Sequence, residues 1–419
     1  MKYYLGIDFG TSGARAIAID GEGNIVATHQ FGFSHTALEE LVKTWQDILF
    51  ELISQLSLSI RTQLNAIAIN GTSSTVLLCD EVGKPITTPL LYNDSRGASA
   101  LELIKTIAPH SHVVVSATST LAKLFWWQKQ SYFSQARYLL HQADWLAWLL
   151  HGKLGISDYH NALKLGYDVE KLCYPNWLQS LPCSELYPQV LSPGALMGKV
   201  TPKNCDRFNI PQHCQVKAGT TDSIAAFLAS GASQPGEAVT SLGSTLVLKL
   251  LSRTRIADSQ YGIYSHRLGN LWLTGGASNT GGAVLRHFFN NQQLATLSQK
   301  IDPQVASSLN YYPLLEPGDR FPINDPNLAP QLSPRPTNPV VFLHGLLESM
   351  SRIEAMGYRK LQELGADRLT QVYTAGGGAK NPVWQAIRQR HLKVPVNIAP
   401  NTNAAYGTAL LAKGSHQVC

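Results

Sequence analysis

The chain has 419 residues, 44% hydrophobic and 15% charged, with a formal net charge of +6. That balance excludes a disordered chain and predicts two or three compact domains at roughly 150 residues each. The positive excess is not gathered into a Lys/Arg block, and no apolar run approaches the ~20 residues that span a bilayer, so neither nucleic acid nor membrane is an expected partner. The six cysteines, Cys79, Cys173, Cys183, Cys205, Cys214 and Cys419, include no C-x-x-C pair. They read as reduced thiols, and the chain enters a strand pattern directly after Met1-Lys2. Both features point to a cytoplasmic protein. Strands are expected over residues 3–8 and 14–20, around the turn Phe9-Gly10-Thr11-Ser12-Gly13, and over 24–30. Leu41, Trp45, Ile48 and Leu52 recur at helical spacing, which predicts a helix over 37–55. Strands follow at 64–70 and 75–79, then helices at 119–130 and 133–150. The pattern restarts after Gly231. Residues 238–241 and 246–251 bracket Leu242-Gly243-Ser244-Thr245, a second strand–glycine turn–strand unit, so the chain reads as two similarly built halves. The proline-dense stretch from Pro313 to Pro339 cannot be regular helix or central strand. A long helix over 340–364, a strand at 371–374, the glycines Gly376, Gly377 and Gly378, a helix from Asn381, a strand at 394–399 and a last helix complete an α/β pattern.

Four short pieces can carry chemistry. Asp8 at a strand end, followed by a Gly/Thr/Ser turn, can hold a cation while backbone N–H groups face phosphates. The spacing is not that of a Walker loop, and an ordinary hairpin turn would look the same. In Ala218-Gly219-Thr220-Thr221-Asp222-Ser223, Asp222 is either a helix N-cap or a general base. Gly243, Ser244 and Thr245 offer a second set of hydroxyl and amide donors for phosphate. The run Gly376-Gly377-Gly378-Ala379-Lys380-Asn381 lets backbone approach a flat ring closely.

In this order the pieces resemble the FGGY family of carbohydrate kinases, within the actin-like, ribonuclease-H-like ATPase superfamily. Residues 6–13, 71–75, 90–94, 219–223, 241–245 and 374–381 carry the match, which spans nearly the whole chain. The resemblance implies two ribonuclease-H-like α/β domains flanking a deep cleft: residues 1–229 plus 403–419 binding sugar, and 230–402 binding ATP. Carried over by position, Asp8 lies near Mg2+ and the reacting hydroxyl, while Thr11, Ser12, Gly13 and Arg15 lie along the triphosphate. Gly243-Ser244-Thr245 is the second phosphate loop. Gly377, Gly378 and Asn381 bind adenosine, with Trp384 at the ring pocket, and Asp222 is the base. ATP and a small-molecule sugar are the implied partners of a monomer or homodimer.

On the sugar side, xylulokinases usually carry a G-Q-M-H-G-type motif where this chain has Gly71-Thr72-Ser73-Ser74-Thr75. Small hydroxyl residues replace a bulky pair, and Ser73 is the expected sugar contact. Leu91-Tyr92-Asn93-Asp94-Ser95-Arg96 keeps much of L-W-N-D-x-R, so Asp94 and Arg96 either line the entrance or form an exposed ion pair. The base motif is T-D-S where T-D-N is commoner. With the short chain, these departures resemble the compact cyanobacterial and plant branch acting on D-ribulose, with D-xylulose as the alternative. Asp158-Tyr159-His160-Asn161 is a further stretch that could reach the sugar. Trp126, Trp127, Trp145 and Trp148 read as core, and no histidine spacing suits zinc. A nucleotide-driven conformational ATPase and an inactive sugar sensor remain the rival readings.

Overall fold

The computed structural model describes residues 1–33, 36–110 and 112–414; Cys419 and the end of the expected 403–419 segment lie outside them. Residues 1–229 with 403–414 form one unit and residues 230–402 another. In the first, Leu5, Ile7 and Phe9 are fully buried along β1 (Tyr3–Phe9). β2 (Gly13–Ile19) and β3 (Ile25–Gly32) continue it as an antiparallel meander. β4 (Leu64–Gly71) runs parallel to β1. β5 (Val76–Cys79) pairs antiparallel with β6 (Tyr138–His141), and β7 (Ile156–Asp158) pairs parallel with β8 (Gln189–Leu191). β9 (Leu196–Lys199) and β10 (Gln215–Lys217) complete a six-stranded sheet ordered β3-β2-β1-β4-β10-β9.

The expected helix over 133–150 is corrected here. Leu139 and Leu140 are buried in β6, which hydrogen-bonds to β5, and the helix runs only over Gln142–His151. It starts there because the His141 and Asp144 side chains form a reciprocal capping box. A buried strand followed by a buried helix shows one unbroken apolar run, so periodicity could not divide them. Trp127 and Trp145 are core, as expected, whereas Trp126, with Arg96 over its ring, and Trp148, beside Trp145, are half-buried.

Helix Ala404–Lys413 returns to the first unit and packs directly on β1. A Cβ on Gly6 would sit 2.1 Å from the Ala405 carbonyl, and one on Gly407 would sit 1.9 Å from that of Ala225 in helix Asp222–Ala229. Only hydrogen fits at either position, and this close approach fixes Asp222 relative to β1.

The second unit repeats the plan. β11 (Glu237–Leu242), β12 (Leu246–Ser252), β13 (His266–Leu268), β14 (Leu271–Ser278), β15 (Gln371–Ala375) and β16 (Val396–Ile398) order as β13-β14-β12-β11-β15-β16. β11, β12 and β14 form the antiparallel part, and β15 and β16 are parallel to β11. The proline-dense stretch packs onto this core. Leu314 and Phe321 are buried, and Phe321 lies against Gly276 and Gly357. Pro339 opens the helix Pro339–Glu363, where its missing N–H costs nothing. Among the described residues no helix is long and apolar enough to cross a membrane, and Cys79, Cys173, Cys183, Cys205 and Cys214 form no disulfide.

Candidate active site

β1 delivers Asp8 to the end of a central strand, where it pairs across from Arg15 on β2 and Asn70 on β4. Asp8 Oδ1 is buried and no group among the described residues satisfies it. Burial, then the Asp222 carboxylate, push the Asp8 pKa up to about 7, against the pull of Arg15 and Asn70. The β1–β2 turn is short because Gly10 N–H donates to the Gly13 carbonyl at 3.0 Å. That turn leaves Thr11 and Ser12 exposed. Asp8, Thr11, Ser12, Gly13 and Arg15 share a hollow of about 440 Å3 with Gln30, whose side-chain oxygen takes two hydrogen bonds from Arg15 at 2.7 and 3.2 Å.

Asp222 is the first residue of helix Asp222–Ala229 and accepts from its neighbour Ser223 N–H at 2.6 Å. It lies within electrostatic reach of Asp8 and also of Lys164, a residue that sequence reasoning missed. Burial lowers the Lys164 pKa while Asp222 opposes the drop. Ser73 is half-buried in the turn after β4, and Gly71 at the start of that turn bridges to Thr221. The turn is secured from beneath. Gln142 Oε1 accepts from Thr72 N–H at 3.1 Å, and Lys123 Nζ donates to the Ser74 carbonyl at 2.7 Å and the Leu91 carbonyl at 2.6 Å. Lys123 is fully buried, and burial pushes its pKa down to about 7. Nothing local marks it, because it sits inside the aromatic run of helix Thr120–Gln128.

Asp94 and Arg96 form an ion pair at 2.6 Å, with the Arg96 side chain 39% exposed. Asp158 is buried and accepts from His160 N–H, Asn161 N–H and Asn161 Nδ2. Burial, then Asp144, push its pKa up to about 7.

In the second unit, Gly243, Ser244, Gly377, Gly378 and Asn381 line a cavity of about 650 Å3, within the range of small-ligand sites. Leu242, Leu285, Leu294 and Trp384 supply its apolar walls. Thr245 sits in the β11–β12 turn but does not line the cavity. Asn381 also has a structural task. Its Oδ1 caps helix Pro382–Leu392 at Val383 and Trp384 N–H, and its Nδ2 donates to Ser298. Gly376 has φ +83°, and a Cβ there would lie 2.7 Å from the Leu242 carbonyl, so the glycine run packs tightly on the β11 turn. Arg286, which the sequence did not flag, donates to Ser244 Oγ at 2.8 Å and supplies the cavity with a cation.

Comparisons with known families cover most of the chain. The model for the N-terminal domain of the FGGY family of carbohydrate kinases matches residues 3–229, and the C-terminal domain model matches 238–414. The chain belongs to the FGGY family of carbohydrate kinases. A xylulose kinase of Staphylococcus xylosus is 21% identical to this FGGY kinase, the match covering 100% of this chain and 92% of that one. An autoinducer-2 kinase of Escherichia coli is 24% identical over 98% and 86% of the two chains. Among solved structures, xylulose kinase from Rhodospirillum rubrum superposes with a TM-score of 0.83 at 20% identity, covering 99% of this chain and 90% of that one. Glycerol kinase from Plasmodium falciparum, solved with ADP, gives 0.84 at 15% identity over 100% and 90%. At these identities the superpositions establish the fold: this FGGY kinase shares the actin-like ATPase architecture in both its units.

Proposed function

We propose that this FGGY kinase uses ATP and Mg2+ to phosphorylate the terminal hydroxyl of a ketopentose, D-ribulose foremost, yielding the 5-phosphate and ADP. The observation that carries the reading is Asp8, a desolvated carboxylate with an unsatisfied oxygen beside a second carboxylate, Asp222. Two carboxylates within electrostatic reach of one another suit proton removal and charge neutralisation in phosphoryl transfer. Asp222 takes the proton from the attacking hydroxyl. Thr11, Ser12, Gly13 and Arg15 face the phosphates from the first unit, with Gly243, Ser244 and Thr245 as the second phosphate loop. Gly377, Gly378 and Asn381 receive the adenosine.

A magnesium ion fits the residues present. The unsatisfied Asp8 oxygen is a hard ligand, and among the described residues no group of three or more His, Cys, Asp and Glu could hold a metal. Magnesium typically needs only one or two carboxylates and completes its shell with phosphates and water. When bound, it supplies charge neutralisation on the transferred phosphoryl group.

D-ribulose is put first because the turn Thr72-Ser73-Ser74-Thr75 departs from the bulky pair usual in xylulokinases, as does the compact branch that the chain resembles. D-xylulose is the alternative, supported by relatives named xylulose kinase. The test is coupled ADP release with magnesium-ATP across D-ribulose, L-ribulose, D-xylulose, L-xylulose, ribitol, xylitol and glycerol. A dominant rate on D-ribulose upholds the reading. A dominant rate on D-xylulose moves it to the alternative, and background rates throughout overturn both.

A further inference from the structure

The stretch Asp158-Tyr159-His160-Asn161, which on sequence grounds could reach a sugar, is buried at all four residues. It supports the site from behind. β7 runs into the short helix Tyr159–Ala162, and Asp158 caps that helix. The cap accepts from His160 N–H at 2.8 Å, Asn161 N–H at 3.1 Å and Asn161 Nδ2 at 2.6 Å. The His160 ring stands edge-on to Tyr159, with centroids 4.7 Å apart. Held in this way, His160 Nδ1 shares a hydrogen bond of 2.7 Å with Thr220 Oγ1, 60 residues away along the chain.

Thr220 stands two residues before Asp222. One side of its segment is pressed against β4. A Cβ on Gly219 would lie 1.7 Å from the Ile69 carbonyl, and Thr221 bridges to Gly71. The Thr221 carbonyl accepts from Ile224 and Ala225 N–H at 3.1 and 2.9 Å, so the helix begins there. Its Oγ1, however, has no partner among the described residues, and the side chain that would ordinarily cap the helix does not. The half-buried Asp222, first residue of that helix, takes its place from whatever holds the start. The bond from Thr220 to His160 supplies that hold. A buried polar pair fully committed to one partner fixes one arrangement where an apolar pair would allow several. Lys164, four residues beyond His160, feels the Asp222 charge, so this stretch faces Asp222 as well as Thr220.

We propose that His160 is a positioning residue for Asp222: its ring, fixed by the Asp158 cap, holds the Thr220 hydroxyl and with it the start of the helix that presents the carboxylate. The inference rests on the reading of Asp222 as the base that takes the proton from the attacking hydroxyl. A displaced base lowers turnover more than it weakens the binding of either substrate.

Thr220→Val keeps the shape of the side chain and removes the hydroxyl. His160→Asn keeps a polar atom near the place of Nδ1, and His160→Leu keeps none. Each is compared with wild type by thermal melting and by kcat and KM in ADP release, with magnesium-ATP and the ketopentose that wild type prefers. Thr220→Val and His160→Leu should lower kcat about 10–100-fold with both KM values within about twofold, and His160→Asn should recover most of the loss. In an Asp222→Ala background Thr220→Val should cost no further turnover, because the group it positions is gone. Wild-type kcat in Thr220→Val overturns the proposal, and so does an undiminished loss in the Asp222→Ala background. If His160→Leu does not fold, those two measurements decide alone. Either of these results in an enzyme that is active on one ketopentose leaves the kinase reading standing. Background ADP release by wild type on every sugar sinks both.

Discussion

In the first unit Asp8 stands at the end of β1 with a buried oxygen, Oδ1, that no described residue satisfies. In the second, beneath the equivalent strands β11 and β15, Arg388 is also buried, but every contact is made. It grips Glu354 at 2.6 and 2.7 Å and Thr374 at 2.7 Å, and Glu354 accepts in turn from Thr240. Five strands share one order in the two sheets, with the sixth on opposite edges (β9 beside β10, β13 beside β14), so the contrast is not one of the central fold. A desolvated charge without a partner is costly and is kept where a ligand supplies the partner, whereas a fully bonded pair serves packing. The two hollows differ in charge as well. Around the β1–β2 turn the lining carries the carboxylate Asp8 with Arg15, while around the β11–β12 turn it carries the cations Arg286 and Lys380 and, among the described residues, no carboxylate.

The sharpest break of this contrast is Asp222→Ala. Turnover should fall about 10²–10⁴-fold, with ATP affinity by titration and thermal stability nearly unaltered. Turnover at the wild-type rate removes Asp222 as the base. Arg388→Met should do the reverse. It leaves Glu354 buried without its cation, at a cost of about 3–5 kcal/mol in urea unfolding of the second unit, while the sugar KM holds. A variant as stable as wild type would show that the pair is not structural. Gly377→Val comes next. A Cβ on Gly377 meets no atom of the described residues within 4 Å, so melting should not move, yet KM for ATP should rise about tenfold if adenosine lies against it.

The smallest effect is in pH. Because the folded pKa of Asp8 lies near 7, above its unfolded value, its stabilising contribution is full at low pH and is lost as pH rises to about 7. Asp8→Asn should therefore gain melting temperature over wild type progressively between pH about 4 and about 7, and no further. For wild type, kcat/KM should fall as pH drops through about 7, and raising Mg2+ should move that midpoint downward. A midpoint that ignores Mg2+ argues against Asp8 as the metal ligand.

Much of this was legible along the chain. The hairpins around Gly10 and Gly243, the helix starting at Asp222 and the glycine run before Asn381 depend on residue types at short spacing, and the structure places them at strand and helix ends as expected. The strand at Tyr138–His141 was not legible, since full burial erases the alternation that identifies a strand. Lys123, Lys164 and Arg286 were also invisible. Each lies in a stretch that reads as ordinary helix or loop, and its partner lies far away in sequence, as Ser74 does for Lys123.

The sequence by itself determined where the backbone must turn and which side chains stand at those turns, because glycine, hydroxyl and carboxylate residues act through neighbours a few positions away. Only the tertiary structure decided which of those groups lose water. The burial of Asp8 Oδ1, the left-handed Ser74 pinned by Lys123 and the neutralised Arg388 each require segments distant along the chain to close on one another. Desolvation belongs to the assembled fold, and it turns an ordinary aspartate into a candidate for chemistry.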